Sequence, residues 1–587
     1  MTELNSKYFA IPSTVKDEWD KWNIRGTFPV SLLLQTLLIF IAPLRKRTEK
    51  RIITFFIWAA YLLADWVAAF AVGLIFSAQG NHNGKELVNK DNAVFWAPFL
   101  LLHLGGPDTI IAFALEDNEL WLRHLLSLMV QFVAVAYVFL QSLPNEFWIP
   151  TLLMFVAGTI KYAEQTRALY LVCLGNFKAS MLPKPEAGID YPRLMEEYSS
   201  NMEAHVPVKI FNQKAQPKKL MVNAAYKFFK IFKGLIVDLA SSLEDRQESR
   251  AFVLESSPQD AFRVMELELN FLYDVLYTKV PVVHCKTGFF FPLVCSVLIV
   301  ISFQRFASHH KQHPHHLDIA VTYTLCIGAL GLDLVAFVML IFSDWTIALL
   351  KNSKMMSIVY AIRKKLSLVG RRQWSNSVSQ HSFIKYCVEE QYLNWFDKPA
   401  IFLGLDDLLA EMQYITKTEP PNELMQFIFN ELKYKALKAE DPKDAKKMCS
   451  ARGVKYDDRI VEQKKETDWD GIYQNRKFCK ILSDYMLYLI VMQPTIMSAV
   501  ASSSQFRFRD TCKEAKKFFA KKESNPETIY ENIRKFFHLQ SKKSIKDQMK
   551  KACDALLEVN IVGKPVELKR ERKTSRCYLM HAFLQRI

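Results

Sequence analysis

Hydrophobic residues are concentrated before position 350 of this chain, in long blocks that short polar stretches separate. A helix needs about 20 apolar residues to cross a bilayer, because each residue adds 1.5 Å along the helix axis. Six blocks approach or exceed that length and predict membrane spans: 28–44, 52–77, 125–143, 147–174, 289–303 and 317–342. After position 350 the apolar runs are shorter and interrupted by charge, which predicts amphipathic or buried helices with few strands.

A seventh apolar segment, residues 93–115, is interrupted. Its first 12 residues, Ala93 to Leu104, are apolar and are followed by Gly105, Gly106, Pro107 and Asp108. The glycines are expected to end one helix, Pro107 to begin the next, and Asp108 to favour the positive end of that next helix. The segment is either a broken crossing helix or a re-entrant hairpin, because irregular backbone at membrane depth must be buried in protein or line a wet cavity.

Charge favours the crossing. The loop 45–51 carries a net charge of +4, and the stretch from Asp344 to Ile587 contains 45 Lys and Arg against 30 Asp and Glu. Lys and Arg near span ends prefer the cytoplasm, so both stretches are predicted to be cytoplasmic and the N-terminus to lie outside. Such a topology requires an odd number of spans, and the interrupted segment would be the seventh. The first 26 residues lack the features of a cleaved signal peptide.

The predicted fold is therefore all-α: a polytopic transmembrane helix bundle of six to seven spans with a predominantly helical cytoplasmic part. Five regions are expected: a polar N-terminal segment (1–26), an N-terminal transmembrane domain (27–177), a helical inter-span loop (178–286), a transmembrane helix pair (287–345) and a basic helical cytoplasmic domain (346–587).

Two helices are predicted within the inter-span loop. Residues 217–243 place lysines at helical spacing among phenylalanines, so this helix either lies on the inner leaflet or packs against the soluble part. In the second helix, Ser257 is expected to be the N-cap and Pro258 the first helical residue. Phe262, Met265, Leu269 and Leu272 form its apolar stripe.

The composition limits partners and cofactors. A net charge of +16 fits anionic lipid at the cytoplasmic face or nucleic acid, and the spans upstream favour lipid, so nucleic acid is not expected. The ten cysteines contain no CxxC pair, which indicates free thiols in a reducing cytosol. The chain has no HExxH, GxSxG, P-loop or GxGxxG motif, and no cofactor is expected.

Two carboxylates within the apolar blocks, Asp65 and Asp333, are candidates for an intramembrane polar site. A charge at the centre of a transmembrane helix costs about 2.5–3.5 kcal/mol, so each must face a partner or a wet cavity. Each is either a cation or proton site or a buried contact that fixes helix packing, with Lys161 or Arg167 as counter-charge. The Gly105–Asp108 break belongs to the same candidate site, since broken helices bind ions in transporters but also occur as plain interfacial turns. His103, Glu116, Asp117 and Glu119 are the ionisable groups near it.

A second, weaker candidate is a histidine-rich loop. Its members are His309, His310, His313, His315 and His316. Imidazole binds zinc, copper or nickel, yet a loop that contains Pro314 and only one nearby carboxylate, Asp318, also fits an ordinary solvated turn.

Several segments together resemble a family of plant membrane proteins that joins an N-terminal domain of unknown function 4220 to a C-terminal domain of unknown function 594. The matching text includes FWAPFLLLHLGGPDTIIAFALEDNELWLRHLL from Phe95 to Leu126, IKYAEQTRALYLV, and ILSDYMLYLIVMQPTIM followed by FRDTCKEAKKFF. The resemblance implies a plant membrane protein and supplies no activity, substrate or catalytic residue. The final stretch, KRERKTSRCYLMHAFLQRI, departs from the family pattern and suggests a truncated or altered end, such as a frame-shifted gene model.

Three functions are open on this basis. The favoured one is a non-enzymatic membrane-anchored protein whose cytoplasmic helices bind other proteins in signalling or defence. The second is a transporter or channel that uses Asp65, Asp333 and the Gly105–Asp108 break. The third is a membrane-bound enzyme, supported only by scattered His and Asp residues. The multi-pass protein is expected in the plasma membrane or an endomembrane, with its C-terminus in the cytoplasm.

Overall fold

A computed structural model describes fourteen stretches of the chain. They are residues 13–48, 51–80, 90–181, 218–237, 243–285, 288, 290–309, 316–350, 353–365, 373–383, 386–387, 414–438, 469–492 and 508–513. These residues are almost entirely helical and divide into two compact units. Unit 1 comprises Met1–Ser241 and Glu266–Trp374, and unit 2 comprises Ser242–Met265 and Ser375–Ile587.

Seven long or apolar helices form the centre of unit 1. They are α1 (Ser13–Ile41), α2 (Arg51–Gly80), α3 (Lys90–Leu104), α5 (Trp121–Gln141), α6 (Trp148–Val172), α12 (Phe290–His309) and α13 (His316–Ile341). Short helices between them are α4 (Leu115–Glu119), α7 (Leu174–Ala179) and α11 (Val280–Val283), and a 3-10 turn, Ala42–Lys46, follows α1.

The remaining helices flank this centre in the sequence. They are α8 (Lys218–Phe232) with a 3-10 turn Lys233–Val237, α9 (Leu243–Glu255), α10 (Pro258–Tyr277), α14 (Asp344–Leu349), α15 (Ser353–Lys365), α16 (Asn422–Lys438) and α17 (Trp469–Met492). Unit 2 also holds a short antiparallel pair, β1 (Val378–His381) and β2 (Ile415–Thr418), with Val378 opposite Thr418 and His381 opposite Ile415. The sequence pattern did not predict these strands.

Five of the helices are long and apolar enough to cross a membrane. The stretches are Trp22–Lys46, Ile52–Ile75, Trp121–Gln141, Phe290–Ser308 and His316–Ile341. They match five of the six predicted spans. The sixth prediction coincides with α6, which has the length, 25 residues, but carries Lys161, Glu164 and Arg167. The interrupted segment contains only a shorter apolar helix, Asn92–Leu104.

The core of unit 1 lies between α3 and its neighbours. Every side chain from Val94 to Leu104 is buried, with Trp96 and Phe99 fully enclosed. Phe95 stacks on Phe306 of α12 with ring centroids 5.2 Å apart. Because α3 is apolar on all sides and surrounded by other helices, it behaves as a fully buried central helix.

Contacts at the helix termini define two ends of unit 1. At the first end, named here the Arg25 end, Arg25 of α1 pairs with Asp318 of α13 at 2.6 Å, and Ser302 of α12 donates to the Pro150 carbonyl of α6. At the opposite end, named the Lys46 end, Lys46 pairs with Asp274 of α10 at 3.5 Å.

Contacts of the other helices place their termini at the same two ends. Trp121, which begins α5, contacts Tyr170 near the end of α6, with ring centroids 4.8 Å apart. Ile57 of α2 packs in one cluster with Ala42 and Ile110. Consecutive members of the set α1, α2, α3, α5, α6, α12 and α13 therefore run in alternating directions.

Candidate functional site

Asp333 lies in α13 and accepts two hydrogen bonds from other residues. Lys161 Nζ of α6 is 2.6 Å from Asp333 Oδ1, and the Ser296 hydroxyl of α12 donates to Asp333 Oδ2 at 3.0 Å. Side chains of both members of the ion pair are about nine-tenths buried. Of the two counter-charges considered from sequence, the structure pairs Lys161 with Asp333, and the contact joins three helices through one carboxylate.

The Gly105–Asp108 break follows the C-terminus of α3. Gly105 N–H donates to the Leu101 carbonyl and Gly106 N–H to the His103 carbonyl, which caps the last turn. Gly106 has a φ of +61°, a left-handed conformation that favours glycine. The predicted break is therefore at the expected position.

The expected helix start at Pro107 is wrong. The next helix, α4, begins at Leu115, and residues 105–114 are irregular. The reason is that Asp108 does not serve a helix N-terminus but pairs with Lys279, whose Nζ lies 3.2 Å from Asp108 Oδ1.

Lys279 holds the break to the segment that follows α10. Its Nζ donates to the Gly106 carbonyl at 3.0 Å, and its backbone N–H donates to the Asp108 carbonyl at 3.3 Å. Ile111 N–H donates to the Tyr277 carbonyl at 2.9 Å. Several backbone groups freed by the break are thus bonded within the protein, as irregular backbone in an apolar environment requires. The side chain of Lys279 is only 1% exposed.

Two cavities meet at these charged residues. The larger, of about 420 Å³, lies between α12 and α13 and has Asp108, Lys161, Ser296 and Asp333 among its lining residues. The smaller, of about 40 Å³, adjoins α1 and α3. Its lining includes Gln35, His103, Gly106, Pro107, Asp108, Lys161 and Asp333. Asp108, Lys161, Asp333 and Ala336 line both cavities and so form the partition between them.

Close backbone packing fixes this partition. A Cβ atom at Gly105 would lie 2.8 Å from the backbone carbon of Lys161, and one at Gly158 would lie 2.8 Å from Leu101 Cβ. The absence of side chains at Gly105 and Gly158 lets α3 and α6 approach closely. Lys161 is thereby held directly against the break.

Four other ionisable groups near the break have different surroundings. His103 is buried and its Nδ1 lies 2.9 Å from the Ser31 hydroxyl, while its carbonyl accepts from Gln35. Asp117 accepts from the backbone N–H groups of Phe113 and Ala114. Glu119 accepts from the N–H of Leu174, and Glu116 is exposed. Of these four, only His103 is among the described residues that line either of these two cavities.

Asp65 is not part of this arrangement. It lies half-buried in α2, interacts electrostatically with Arg123 of α5, and is absent from the described residues that line either cavity. The two predicted intramembrane carboxylates therefore occupy separate places.

The histidine-rich loop falls largely outside the described residues. His310, His313 and His315 are among those not described, whereas His309 ends α12 and His316 begins α13. Within the described part of the chain, no group of three or more His, Cys, Asp or Glu side chains is arranged to hold a metal ion.

The lysine-rich helix of the inter-span loop is α8, and its aromatic face packs on protein. Phe229 lies 5.4 Å from Trp345 and 5.9 Å from Phe271, measured between ring centroids. Lys227 and Lys230 are exposed on the other side. These contacts favour a helix that packs against the rest of the protein over a helix whose phenylalanines insert into the inner leaflet.

Two titratable groups near the Lys46 end have shifted pKa values. Burial raises the pKa of Asp274 above its ordinary value, although Lys46 opposes the shift. Burial lowers the pKa of His284 to about 4. His284 stacks on Trp345, with ring centroids 5.7 Å apart, so its uncharged form fits the aromatic surroundings.

Lys279 and the pair of Arg25 with Asp318 were missed by sequence reasoning. Arg25 was assigned to a polar N-terminal segment, yet α1 begins at Ser13 and buries it. A signal existed for Lys279, since it stands alone before the apolar run VPVV, but nothing in the pattern indicated its partner.

Comparison with known proteins identifies the segment that contains this site. A family model described as "Domain of unknown function (DUF4220)" matches residues 58–387, more than half of the chain. The chain belongs to the DUF4220 family. The DUF4220 segment includes Lys161, Lys279, Asp333 and the break. Searches of curated proteins and of solved structures found no match.

Proposed function

We propose that this DUF4220 protein is a plant multi-pass integral membrane protein with seven crossing helices and a cytoplasmic C-terminus. It acts as a membrane-anchored interaction or signalling protein without enzymatic chemistry of its own. The topology is supported by the alternating directions of seven helices: α1, α2, α3, α5, α6, α12 and α13. Because seven is odd, the chain before α1 and the chain after α13 lie on opposite sides of the membrane. Five of these helices have the length and composition of spans.

The crossing of α3 and α6 is supported by where their polar groups lie. Lys161 and Glu164 of α6 are buried, and Lys161 is paired with Asp333, so these two groups do not face lipid, whereas Arg167 is exposed five residues before the end of α6. Charged residues within membranes face the bundle interior and pair with one another. Helix α3 is enclosed by other helices, so its 15 residues need not span the whole bilayer thickness by themselves.

Charge supports the orientation. The Lys46 end adjoins the basic loop 45–51 and the stretch after α13, in which Lys and Arg exceed Asp and Glu by 45 to 30. Under the positive-inside rule this end faces the cytoplasm and carries an attraction for anionic lipid. The resemblance of the sequence FRDTCKEAKKFF and its neighbours to that family further supports a C-terminal domain of unknown function 594 in this cytoplasmic portion.

Insertion of N-glycosylation acceptors tests the topology. Acceptors placed in the segment 142–147 and in the histidine-rich loop should be glycosylated, because both connect helices at the Arg25 end. An acceptor in the segment 178–217 should remain unmodified. Glycosylation in 178–217, or protection of both other sites, would contradict the seven-span arrangement.

Proximity labelling from the C-terminus tests the interaction function. The expected result is a reproducible set of labelled proteins that an unrelated membrane anchor carrying the same labelling enzyme does not give. A labelled set indistinguishable from that control would contradict the proposal.

A second candidate function, transport of an ion or small solute, is favoured by one observation. Asp108, Lys161 and Asp333 separate two cavities at the level of a helix break, and this arrangement resembles substrate sites of transporters. Flux through proteoliposomes should then fall in Asp333→Asn, while Asp65→Asn, outside both cavities, serves as the matched control. Absence of flux for every ion and solute tried, with correctly inserted protein, would count against transport.

A further inference from the structure

Helix α15 carries an exposed apolar stripe. Met355, Ile358 and Ile362 are 55%, 59% and 42% exposed. A helix turns by about 100° per residue, so these three side chains lie within about 60° of the helix circumference. Lys365 and Ala361, which are also exposed, lie along one flank of the stripe. Contiguous apolar surface that polar residues border is a common mark of a membrane or protein interaction site.

An ion pair fixes another side of α15 near the end of the last membrane-suited helix. Arg363 Nη2 lies 2.8 Å from Asp344 Oδ1, and the two side chains are only 9% and 6% exposed. Asp344 begins α14 and follows Ile341, the last residue of α13, by three positions. Because α13 is long and apolar enough to cross a membrane, its end marks the boundary of the hydrocarbon layer. The ion pair therefore holds the last turn of α15 close to that boundary.

The sequence around α15 is basic throughout. Between Trp345 and Arg372 it contains seven Lys or Arg residues and no Asp or Glu. Arg363 is paired with Asp344, and the other six are Lys351, Lys354, Lys364, Lys365, Arg371 and Arg372. A cluster of about 4–8 basic residues directly after a span, on the cytoplasmic side, is typical of segments that bind anionic lipid.

The position of the stripe selects a lipid surface as its partner. Nucleic acid would match the positive charge but not three exposed apolar side chains. A helix held at the boundary of the hydrocarbon layer has acyl chains on one side and headgroups on the other, and these two environments match an apolar stripe with basic surroundings. The helix α8, which is also rich in lysine, differs because its phenylalanines pack on Phe271 and Trp345.

We infer that α15 is an interfacial helix that binds anionic lipid of the cytoplasmic leaflet. Met355, Ile358 and Ile362 lie among the acyl chains, and Lys365 reaches the headgroups together with the basic residues that flank the helix in the sequence. The inference rests on the proposed membrane topology, which places the end of α13 on the cytoplasmic side. It assigns the attraction for anionic lipid to one face of one helix.

Fluorescence quenching of the full chain in vesicles tests the position of the stripe. Dansylalanine, inserted by stop-codon suppression, replaces Ile358 or Ala361, and the vesicles contain phosphatidylcholine and phosphatidylserine. Phospholipids brominated on their acyl chains quench the probe from the hydrocarbon layer, and iodide quenches it from water. Brominated lipid should quench the probe at Ile358 at least threefold more than the probe at Ala361, and iodide should show the reverse order. Stronger quenching by iodide at Ile358 would overturn the inference. Quenching by neither agent there would also overturn it, because protein would then cover the stripe.

A third probe position separates a failed inference from a failed topology. Ile327 lies near the middle of α13 and is 58% exposed. Dansylalanine at Ile327 should be quenched by brominated lipid and protected from iodide, whatever the position of α15. Access of iodide to Ile327 would contradict the membrane topology. Protection at Ile327 together with access of iodide to Ile358 would contradict the interfacial helix alone.

Charge substitutions test the preference for anionic lipid. The probe at Ile358 should be quenched by brominated lipid at least twofold less in vesicles of phosphatidylcholine alone than in vesicles that also contain phosphatidylserine. Lys364→Gln/Lys365→Gln should lower the quenching towards that level in the mixed vesicles, because it removes two positive charges. Lys364→Arg/Lys365→Arg keeps both charges and is the matched control, which should behave as the wild type does. Equal quenching of the wild type in the two kinds of vesicle would overturn the assignment to anionic lipid.

Discussion

The Lys161–Asp333 pair shows how one contact can join three helices in an apolar environment. Removing one partner leaves the other charge buried, and breaking a buried pair of this kind typically destabilises a protein by about 3–5 kcal/mol. Lys161→Met and Asp333→Asn are therefore each expected to lower the free energy of unfolding by this order.

The double variant separates pairing from general damage. With both charges removed, Lys161→Met/Asp333→Asn should be more stable than the sum of the single effects predicts, by about 1.5 kcal/mol or more. Denaturant unfolding in detergent micelles measures the coupling. Strictly additive effects would mean that the 2.6 Å contact contributes nothing specific.

His284 predicts a dependence of stability on pH. Its folded-state pKa, about 4, lies below the ordinary value of 6.5 because burial disfavours the charged ring. The stabilisation from its neutral form is complete above pH 6.5 and is lost as the pH falls towards 4, since the unfolded chain then binds the proton more tightly. The wild type should lose more thermal stability between pH 7 and pH 4.5 than His284→Phe. Parallel losses in the two proteins would show that other groups govern the acid response.

Some residue-level features were accessible from sequence and others were not. The Ser257 cap is confirmed, because its hydroxyl accepts the Asp260 N–H at 3.2 Å at the start of α10. Lys161 was among the predicted counter-charges because a carboxylate in an apolar block must find a partner nearby. No such local rule predicts the pairing of Asp108 with Lys279. It depends on how the end of α10 meets the break, which is a property of tertiary packing.

Among the helices, the tight approach of α3 and α6 rests on Gly158. A Cβ there would meet Leu101 Cβ at 2.8 Å and the Pro98 carbonyl oxygen at 2.9 Å, both in α3. Gly158→Ala should therefore force the helices apart and destabilise the protein by about 1–3 kcal/mol, the usual range for overpacking. Thermal unfolding in micelles provides the measurement.

Gly331 is the matched control for that substitution. It lies within α13, and a Cβ added to it would meet nothing within 4 Å. Gly331→Ala should be neutral or stabilise by about 0.5–1 kcal/mol, because alanine has the higher helix propensity. If both alanine variants behaved alike, close packing at Gly158 would not be the reason for its glycine.

Helix periodicity and apolar length predicted most elements, and the exceptions have physical causes. Five predicted spans coincide with helices that are long and apolar enough to cross a membrane, because a long apolar block has few other stable arrangements. β1 and β2 have four residues each, too short for alternation to be recognised. Helix α1 begins at Ser13, before the first apolar block, and its Arg25, which lies outside the apolar pattern, is paired with the distant Asp318.

For the molecule as a whole, the division into units does not follow the order of the chain. Residues 242–265 group with the C-terminal unit, where Val253, Ala261, Met265 and Phe429 form one buried cluster. Phe429→Ala should destabilise unit 2 by about 3–5 kcal/mol, because the ring is only 1% exposed.

Hydrogen exchange reports this effect by region. Amides of α9 and α16 should exchange faster in Phe429→Ala, while those of α3 and α6 in unit 1 keep their protection. Phe427→Ala, on the same helix but 42% exposed, should change exchange little. A uniform increase across both units would indicate that they do not behave as separate cooperative bodies.

The attachment of Lys279 to the break has a mechanical consequence. The end of α10 and the irregular segment 105–114 are joined by hydrogen bonds: Ile111 N–H donates to the Tyr277 carbonyl, and Lys279, two residues after α10, donates to the carbonyls of Gly106 and Asp108. The break is in turn pressed against Lys161, the residue that holds Asp333. A displacement of α10 would therefore be transmitted through these contacts to Lys161 and Asp333, which line both cavities.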